Sequence, residues 1–506
     1  MATPLPGRGP TERIRTAGFS RARIQPHGEF SSRSDGAGHG SYHLSIIDID
    51  SFADFRDCRH HVRRAGVMSP IFSRDYAAEL PKVAHGSGVY VYDTDGKAYL
   101  DGMGSAGVVG IGHGRTEIYR ALADAGNKVT FAYTATFTHP WQEQLASSIL
   151  SVAPTGMASV YFVSGGSEAN ETALKLARQY HLERGDTQRH KIISRWQSYH
   201  GVTIATLSLS GRTSWRTPYS PYLLPIVHIS PPYEYRCAYC RDHGGCTLDC
   251  ADELERAINL EGPETVSAFF AETIVGTTAS GLVPHKDYYK RVREICDRYG
   301  ILFVADEVLA GYGRTGVPFA IADWDVTPDM ITCGKAIGSG YAPLGAVLVN
   351  DRITDFFRDN RKRFVHGFTY SGHPASCFIG QQVFDIMSKE GLFERPGRIG
   401  HYLASRLRQL QQRHACIGDV RGRGLYAGVE FVADRATRQP FPVEKAFTSR
   451  LVAGMRERGV IVGGGVPGAN FGQGGDHIQI TPPFIVTEEE IDIIVDTLDE
   501  VITELV

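Results

Sequence analysis

Ile301-Leu302-Phe303-Val304-Ala305-Asp306-Glu307 is an apolar run of strand length that stops abruptly at two carboxylates. A run this short and this continuous suits a strand buried on both faces. Val160-Tyr161-Phe162-Val163, Ile192-Ile193, Val266 to Phe270 and Ala346 to Val349 share the pattern, and helical periods separate them between about Glu117 and Val349. Strands alternating with helices predict an α/β fold with parallel pairing and helices on both faces of the sheet. Ligands in such sheets bind at the carboxyl ends of the strands, which is where Asp306 and Glu307 fall.

Outward from that centre the pattern changes. Val89-Tyr90-Val91-Tyr92-Asp93-Thr94-Asp95-Gly96-Lys97-Ala98-Tyr99-Leu100-Asp101 alternates around an Asp-Gly signal and predicts a hairpin, so a small sheet should open the ordered chain. After about Ser376, amphipathic helices, a strand expected over Gly422 to Val432 and a closing helix over Glu488 to Leu505 suggest a smaller α/β domain. Residues 1–67 differ in kind. They carry Arg8, Arg13, Arg15, Arg21 and Arg23, no lysine, and no sustained period before Tyr42, which reads as an extension without packed structure. An Arg- and Ser-rich transit peptide is the alternative, against which Glu12, Glu29 and Asp35 count.

With 506 residues and a formal charge of −3, nothing in the electrostatics calls for nucleic acid as a partner. No apolar run approaches the roughly 20 residues of a membrane-spanning helix, so a membrane is not expected as a partner either. Most of the nine cysteines stand singly in apolar surroundings, which suits a reducing compartment: the cytoplasm, or the mitochondrion if the extension is a transit peptide. Cys237, Cys240, Cys246 and Cys250 are the exception, forming C-x2-C-x5-C-x3-C in a tyrosine- and glycine-containing loop. Four thiolates could close a tetrahedral zinc site, but the last spacings are not those of a common ribbon or finger. A reduced surface insert is the expected reading, with no metal in the active site.

The residues with chemistry lie at the predicted strand ends. Thr332-Cys333-Gly334-Lys335-Ala336-Ile337-Gly338 sets a lysine between glycines. A lysine that can form a Schiff base, with an aspartate such as Asp306 to keep a ring nitrogen protonated, is what a pyridoxal phosphate site needs. Phe162-Val163-Ser164-Gly165-Gly166-Ser167-Glu168-Ala169-Asn170-Glu171 joins a strand end to a helix whose apolar face is Ala169, Ala173, Leu176, Ala177 and Tyr180. Glycines at a helix N-terminus let backbone amides approach a phosphate, although a tight turn with Ser167 as N-cap would look the same. That turn is neither a Walker loop nor a G-x-G-x-x-G dinucleotide fingerprint. Ser198-Tyr199-His200-Gly201 follows the next strand and offers an aromatic ring to stack on a planar heterocycle.

These segments, with Gly311-Tyr312-Gly313-Arg314-Thr315-Gly316 and His366-Gly367-Phe368-Thr369-Tyr370-Ser371-Gly372-His373-Pro374, occur in the order and approximate spacing of the class III (ω-) aminotransferases, which the chain resembles from about residue 70 to its end. The resemblance implies fold type I: a large domain with a mostly parallel seven-stranded sheet over 121–375, and a small α/β domain built from 68–120 and 376–506. It implies pyridoxal 5'-phosphate, with Lys335 as Schiff-base and proton-transfer lysine, Asp306 facing the pyridine nitrogen, and Val308 and Tyr199 on opposite ring faces. Gly165, Gly166 and Ser167 would hold the phosphate, while His200 and Glu272 support the site. Phe368 and Thr369 would reach the phosphate of the neighbouring subunit's cofactor, which implies a homodimer with shared active sites.

The chain also departs from that family. An arginine that binds the acceptor's carboxylate and a glutamate that gates it are replaced by Gln479 and Thr277. Glutamine cannot reproduce the planar fork of arginine, so ornithine- or acetylornithine-type specificity is not expected. The glycine-rich stretch Gly463 to Gly474, where ω-amine enzymes place a mobile arginine, has none, and Gly107 stands near their bulky pocket aromatic. A roomier pocket is expected there, or one filled from elsewhere by Tyr133 or Phe137. The expected reaction moves an amino group from an ω-amine, β-amino acid or related primary amine to pyruvate or another small 2-oxo acid in a ping-pong cycle. An aminomutase, lyase or epimerase using the same lysine is the alternative, and a non-catalytic scaffold a more distant one.

Overall fold

The computed structural model describes residues 70–125, 128–240, 245–465, 468, 470, 472 and 474–506. The expectations for 1–67 lie outside these residues. The chain divides into two units, Met1–Ala78 and Glu79–Val506. In the first, residues 70–78 form neither helix nor strand. The second holds the three sheets described next.

Strands β1 (Val83–Ser87), β2 (Tyr90–Asp93) and β3 (Ala98–Asp101) form an antiparallel meander, with the expected hairpin pairing Tyr90 with Leu100 and Tyr92 with Ala98. The central sheet holds β4 (Met157–Val163), β5 (Lys191–Arg195), β6 (Val227–Ile229), β7 (Val266–Glu272), β8 (Leu302–Asp306), β9 (Met330–Cys333) and β10 (Gly345–Asn350), in the order β4-β10-β9-β8-β7-β5-β6. Toward the C-terminus, β11 (Ile417–Gly422) and β12 (Ala427–Phe431) precede β13 (Val460–Ile461), β14 (Gly463–Gly464) and β15 (Asp476–Ile480). β13 pairs parallel with β3, so one small sheet draws strands from both ends of the chain. The remaining three join β12 as β11-β12-β15-β14.

The central sheet is buried on both faces because its strands are apolar on both. Ala268 and Phe270 of β7 and Leu302 and Val304 of β8 face one core, together with Ala169, Ala173, Leu176, Ala177 and Tyr180 of the helix Gly166–Glu183. Phe269, Ala271, Phe303 and Ala305 point the other way, against the helices Asp249–Glu261 and Tyr288–Tyr299. That two-residue alternation is the strand period, and each fully buried aromatic contributes about 1.5–3 kcal/mol of transfer free energy.

Three details qualify the reading from sequence. The run Ala346 to Val349 is a strand, β10, antiparallel to both neighbours, β4 and β9, so the sheet is mostly parallel, as the family resemblance implies. The segment Gly422 to Val432 is not one strand: a turn carrying Gly424 in the left-handed region separates β11 from β12. Ser167 is not an N-cap, because the helix begins at Gly166 with Gly165 as its cap residue.

Strands β11 and β12 carry part of a buried charge cluster. Glu430 of β12 accepts from Arg236 Nε at 2.5 Å and Arg421 Nη1 at 2.7 Å, and from the hydroxyl of Tyr233. Burial alone would raise its pKa, but Arg421 and Arg236 hold the carboxyl below the usual range. Replacing Glu430 with glutamine leaves two guanidinium groups facing a neutral amide, an expected cost of about 3–5 kcal/mol that a fall in the denaturation midpoint would show.

Candidate active site

The predicted residues sit at or just beyond the carboxyl ends of β4, β5, β7, β8 and β9: Gly165 to Ser167, Tyr199 and His200, Glu272, Asp306 to Val308, and Lys335. Parallel pairing brings Glu272 directly opposite Asp306, and Asp306 opposite Thr332. Lys335 follows β9 after Gly334 and adopts φ of 49° in the left-handed region, a strained conformation for a side-chain-bearing residue.

Asp306 is anchored by three partners. Its Oδ2 lies 2.8 Å from His200 Nδ1 and accepts from Asn170 Nδ2 at 2.8 Å, and its Oδ1 accepts the Val308 amide at 3.0 Å. Burial pushes its pKa up, yet the hydrogen bond and charge of His200, with Val308 and Asn170, bring it below the ordinary aspartate value. The carboxylate is thereby kept ionised and oriented, as a partner for a protonated ring nitrogen requires. Asn170 is a site residue to which the sequence reading assigned no role. It also donates to the His200 carbonyl at 2.9 Å and accepts from Thr332 Oγ1 at 3.0 Å, tying three strand ends together. Its place on the inner face of the helix after the glycine turn was the available signal.

Glu272 accepts the amides of Tyr199 and Gly276, each at 2.8 Å, and burial lifts its pKa to about 7. It fixes the start of the Tyr199 loop rather than facing open space. Glu307 is likewise turned inward, accepting from Thr273 Oγ1 at 2.8 Å and the amides of Ala320 and Ile321 at 2.8 and 2.7 Å. Of the two carboxylates that end β8, then, one supports loops and the other faces the site. For Lys335, burial lowers the ammonium pKa; Asp306 and Glu272 oppose that fall and Arg314 adds to it.

Gly166, Gly334 and Val308 meet closely. A Cβ on Gly166 would stand 2.6 Å from Val308 Cγ1, and one on Gly334 would stand 3.2 Å from the same methyl. A Cβ on Gly201 would stand 2.4 Å from Ser167 Oγ, which accepts the Val202 amide at 3.3 Å. No atom lies within 4 Å of where a Cβ on Gly165 would project. Open space over Gly165, at the N-terminus of an 18-residue helix, fits a phosphate, and Lys335 with ionised Asp306 fits the aldehyde and ring nitrogen of pyridoxal phosphate. Gly166→Ala is expected to push against Val308 and weaken cofactor affinity about 10- to 100-fold, or about 1.4–2.7 kcal/mol, measured by equilibrium dialysis of the apoprotein.

Phe368 and Thr369 are not brought to this site: Thr369 is exposed, and half-buried Phe368 packs edge-on to His366. At the opposite wall, Gly107 leaves no empty pocket. A Cβ there would stand 2.3 Å from Leu309 Cδ1, so Leu309 fills the place, whereas Tyr133 and Phe137 are exposed. Of the two departures Gln479 is buried and Thr277 half-buried, and among the described residues Gln479 Oε1 and Thr277 Oγ1 are shielded from solvent without a hydrogen-bond partner. Gly468 accepts from Gln197 and Asn470 from Arg236 Nη1, so the described part of the glycine-rich stretch is tied down rather than loose.

Comparison with known proteins agrees with this architecture. The family model "Aminotransferase class-III" matches residues 71–502. An aminotransferase of Bacillus subtilis is 36% identical over 436 residues, covering 86% of this chain and 98% of its own. The putrescine–pyruvate aminotransferase of Pseudomonas aeruginosa is 35% identical over 414 residues, 81% of this chain and 88% of its own. The crystal structure of a transaminase from the marine bacterium Virgibacillus superposes with a TM-score of 0.79 at 36% identity, over 84% of this chain and 93% of that one. Among the described residues no helix is long and apolar enough to cross a membrane. The chain is a pyridoxal phosphate-dependent transaminase and belongs to the class III aminotransferases.

Proposed function

We propose that this protein takes an amino group from an ω-amine, β-amino acid or related primary amine and delivers it to pyruvate or another small 2-oxo acid, in a ping-pong cycle centred on Lys335. The observation that carries the reading is the strand-end cluster in which Asp306, held ionised by His200 and Asn170, lies one loop from Lys335. Pyridoxal phosphate bound there supplies an electron sink for the substrate carbon and carries the amino group between the two substrates. Lys335 Nζ would anchor the cofactor and, once released, move a proton from the substrate carbon; its lowered pKa keeps a larger fraction as free base at neutral pH than a solvated lysine has. Asp306 would hold the proton on the ring nitrogen, with Val308 and Tyr199 bounding the two ring faces and Gly165, Gly166, Ser167 binding the phosphate.

Specificity follows from the neutral wall. Gln479 and Thr277 offer hydrogen bonds but no charge, which suits an amine donor without a carboxylate in that position better than ornithine-type substrates. Exposed Thr369, with Phe368 beside it, would complete the site of a second copy, making the working unit a homodimer. A matrix of donors (diamines, β-alanine-type amino acids, arylalkylamines, ornithine) against acceptors (pyruvate, 2-oxoglutarate, glyoxylate) tests this. Bleaching of the cofactor's visible absorbance by amines and its recovery with pyruvate is expected; preference for ornithine, or turnover with no acceptor requirement, would sink it.

A further inference from the structure

The wall where this chain departs from its family carries no charge of its own, yet a 2-oxo acid acceptor brings a carboxylate into the site. Gln479 and Thr277 are neutral, and the stretch from Gly463 to Gly474 contains no arginine. His477 stands two residues before Gln479 on the same side of β15, with Nε2 3.3 Å from the Thr277 carbonyl. Burial, then Arg421 and more weakly Arg212, depress its pKa to about 4, so it too is neutral near pH 7. A carboxylate taken out of water without a paired cation is costly, so the positive charge must come from outside this set.

Other arginines of the region are engaged at its base. Arg195 Nη2 donates to the Glu272 carbonyl at 2.5 Å, and Arg314 Nη1 to the carbonyls of Leu425 and Pro482 at 3.2 and 2.5 Å. Arg236 and Arg421 both hold Glu430. Arg212 is placed differently. It is half-buried ahead of the short helix Thr213–Arg216, with its guanidinium carbon 3.6 Å from the centre of the Trp215 ring and 5.9 Å from that of Tyr199. Those two rings meet edge to face at 6.0 Å. A guanidinium seated over a ring keeps its in-plane N–H donors directed sideways, the geometry that a planar carboxylate accepts.

The same segment reaches the stretch that lacks an arginine. Thr213 Oγ1 lies 3.9 Å from where a Cβ on Gly468 would project and 3.8 Å from that on Gly472. Gln197, two residues before Tyr199, donates to the Gly468 carbonyl at 3.1 Å, and its own carbonyl accepts from Thr278, the neighbour of Thr277. The Tyr199 loop, the Thr277 segment and the glycine-rich stretch are thereby tied together beside Arg212. We propose that Arg212 is the specificity-determining residue that holds the carboxylate of the 2-oxo acid acceptor, supplied from a segment distant in sequence from the glycine-rich stretch. The assignment rests on the transamination proposed above. It makes the acceptor, rather than an amine donor without a carboxylate, the substrate that depends on this cation.

Stopped-flow measurement of the two half-reactions in Arg212→Gln, loaded with pyridoxal phosphate, tests this. Recovery of the cofactor's absorbance with pyruvate should need at least ~10-fold more pyruvate for half-maximal rate, a loss well beyond any change in bleaching by 1-phenylethylamine, which has no carboxylate. Recovery with hexanal, an acceptor without that group, should show no such excess. Calorimetric titration with propionate should show weaker binding to the variant by a similar factor, a readout independent of turnover. If the glutamine variant does not fold, Arg212→Lys carries the same comparison, since it keeps charge and stem but loses the planar fork. Equal losses in both half-reactions, or with pyruvate and hexanal alike, would show that Arg212 only supports the Tyr199 loop and would overturn the proposal, as would wild-type recovery with pyruvate. Wild-type protein bleached by no amine would instead sink the transamination on which the assignment rests.

Discussion

Lys335→Ala is expected to lower kcat by at least ~10⁵-fold, about 7 kcal/mol of barrier, while leaving the protein folded and able to hold pyridoxal phosphate without a covalent link. The physical reason lies in its surroundings. Lys335 is held at a positive φ between Gly334 and the turn that leads to Gly338. Burial lowers its pKa, and the free base that would both anchor the cofactor and take the substrate proton is therefore present at lower pH than for a solvated lysine near 10.4. Apoprotein mixed with cofactor should consequently form the covalent adduct at a rate that rises with pH and levels off below that value. The alanine variant should lose the borohydride-trappable adduct at this position yet retain cofactor through Asp306 and the glycine turn. Exogenous methylamine should restore part of the rate, because the missing group is a base and not a fold determinant. Turnover at the wild-type level in the variant would remove Lys335 from the chemistry.

How far the molecule could be read in advance depends on the range of the forces involved. The closing helix Glu488–Leu505 was legible to the residue because Thr487 and Glu490 form a reciprocal capping box ahead of an apolar stripe, all within one stretch of chain. The hairpin about Gly96 was legible for the same reason. Strand direction was not: the apolar run of β10 is the same for either orientation, and only its pairing with β4 and β9 reverses it. β9 and β6, of four and three residues, went unread. In the site, residue types with intrinsic chemistry, Lys335 and Asp306, stood out. Asn170 and Glu307 did not, since their roles depend on partners such as Asp306, 136 positions from Asn170, that only the folded sheet brings near. Leu309 filling the place beside Gly107 is likewise a fact of packing between distant segments.

Asp306→Asn should leave that packing intact and still cost about 10³-fold in the rate of the amine half-reaction, near 4 kcal/mol. The amide is nearly isosteric, and it can keep the Val308 contact through its carbonyl oxygen. What it removes is the charge. A ring nitrogen facing a neutral amide loses its proton more readily, and the ring then withdraws less electron density from the substrate carbon. The variant also turns an acceptor shared by His200 and Asn170 into a group with its own donors, so one of those two contacts must reorient. Asp306→Glu separates the two effects: charge is retained but misplaced by one methylene, and a smaller loss than for asparagine is expected. Because the wild-type carboxylate is held below the ordinary aspartate value, it stays ionised through neutral and mildly acidic pH, and its charge is lost only as pH falls below that depressed value. The acid limb of the wild-type rate profile should therefore not belong to Asp306, and the asparagine variant should show a lower rate across the whole range with the limb unmoved. Stopped-flow measurement of cofactor bleaching by saturating amine, with loading checked by absorbance after desalting, reads this directly. A variant that bleaches at the wild-type rate when fully loaded would show that the ring nitrogen does not depend on this carboxylate.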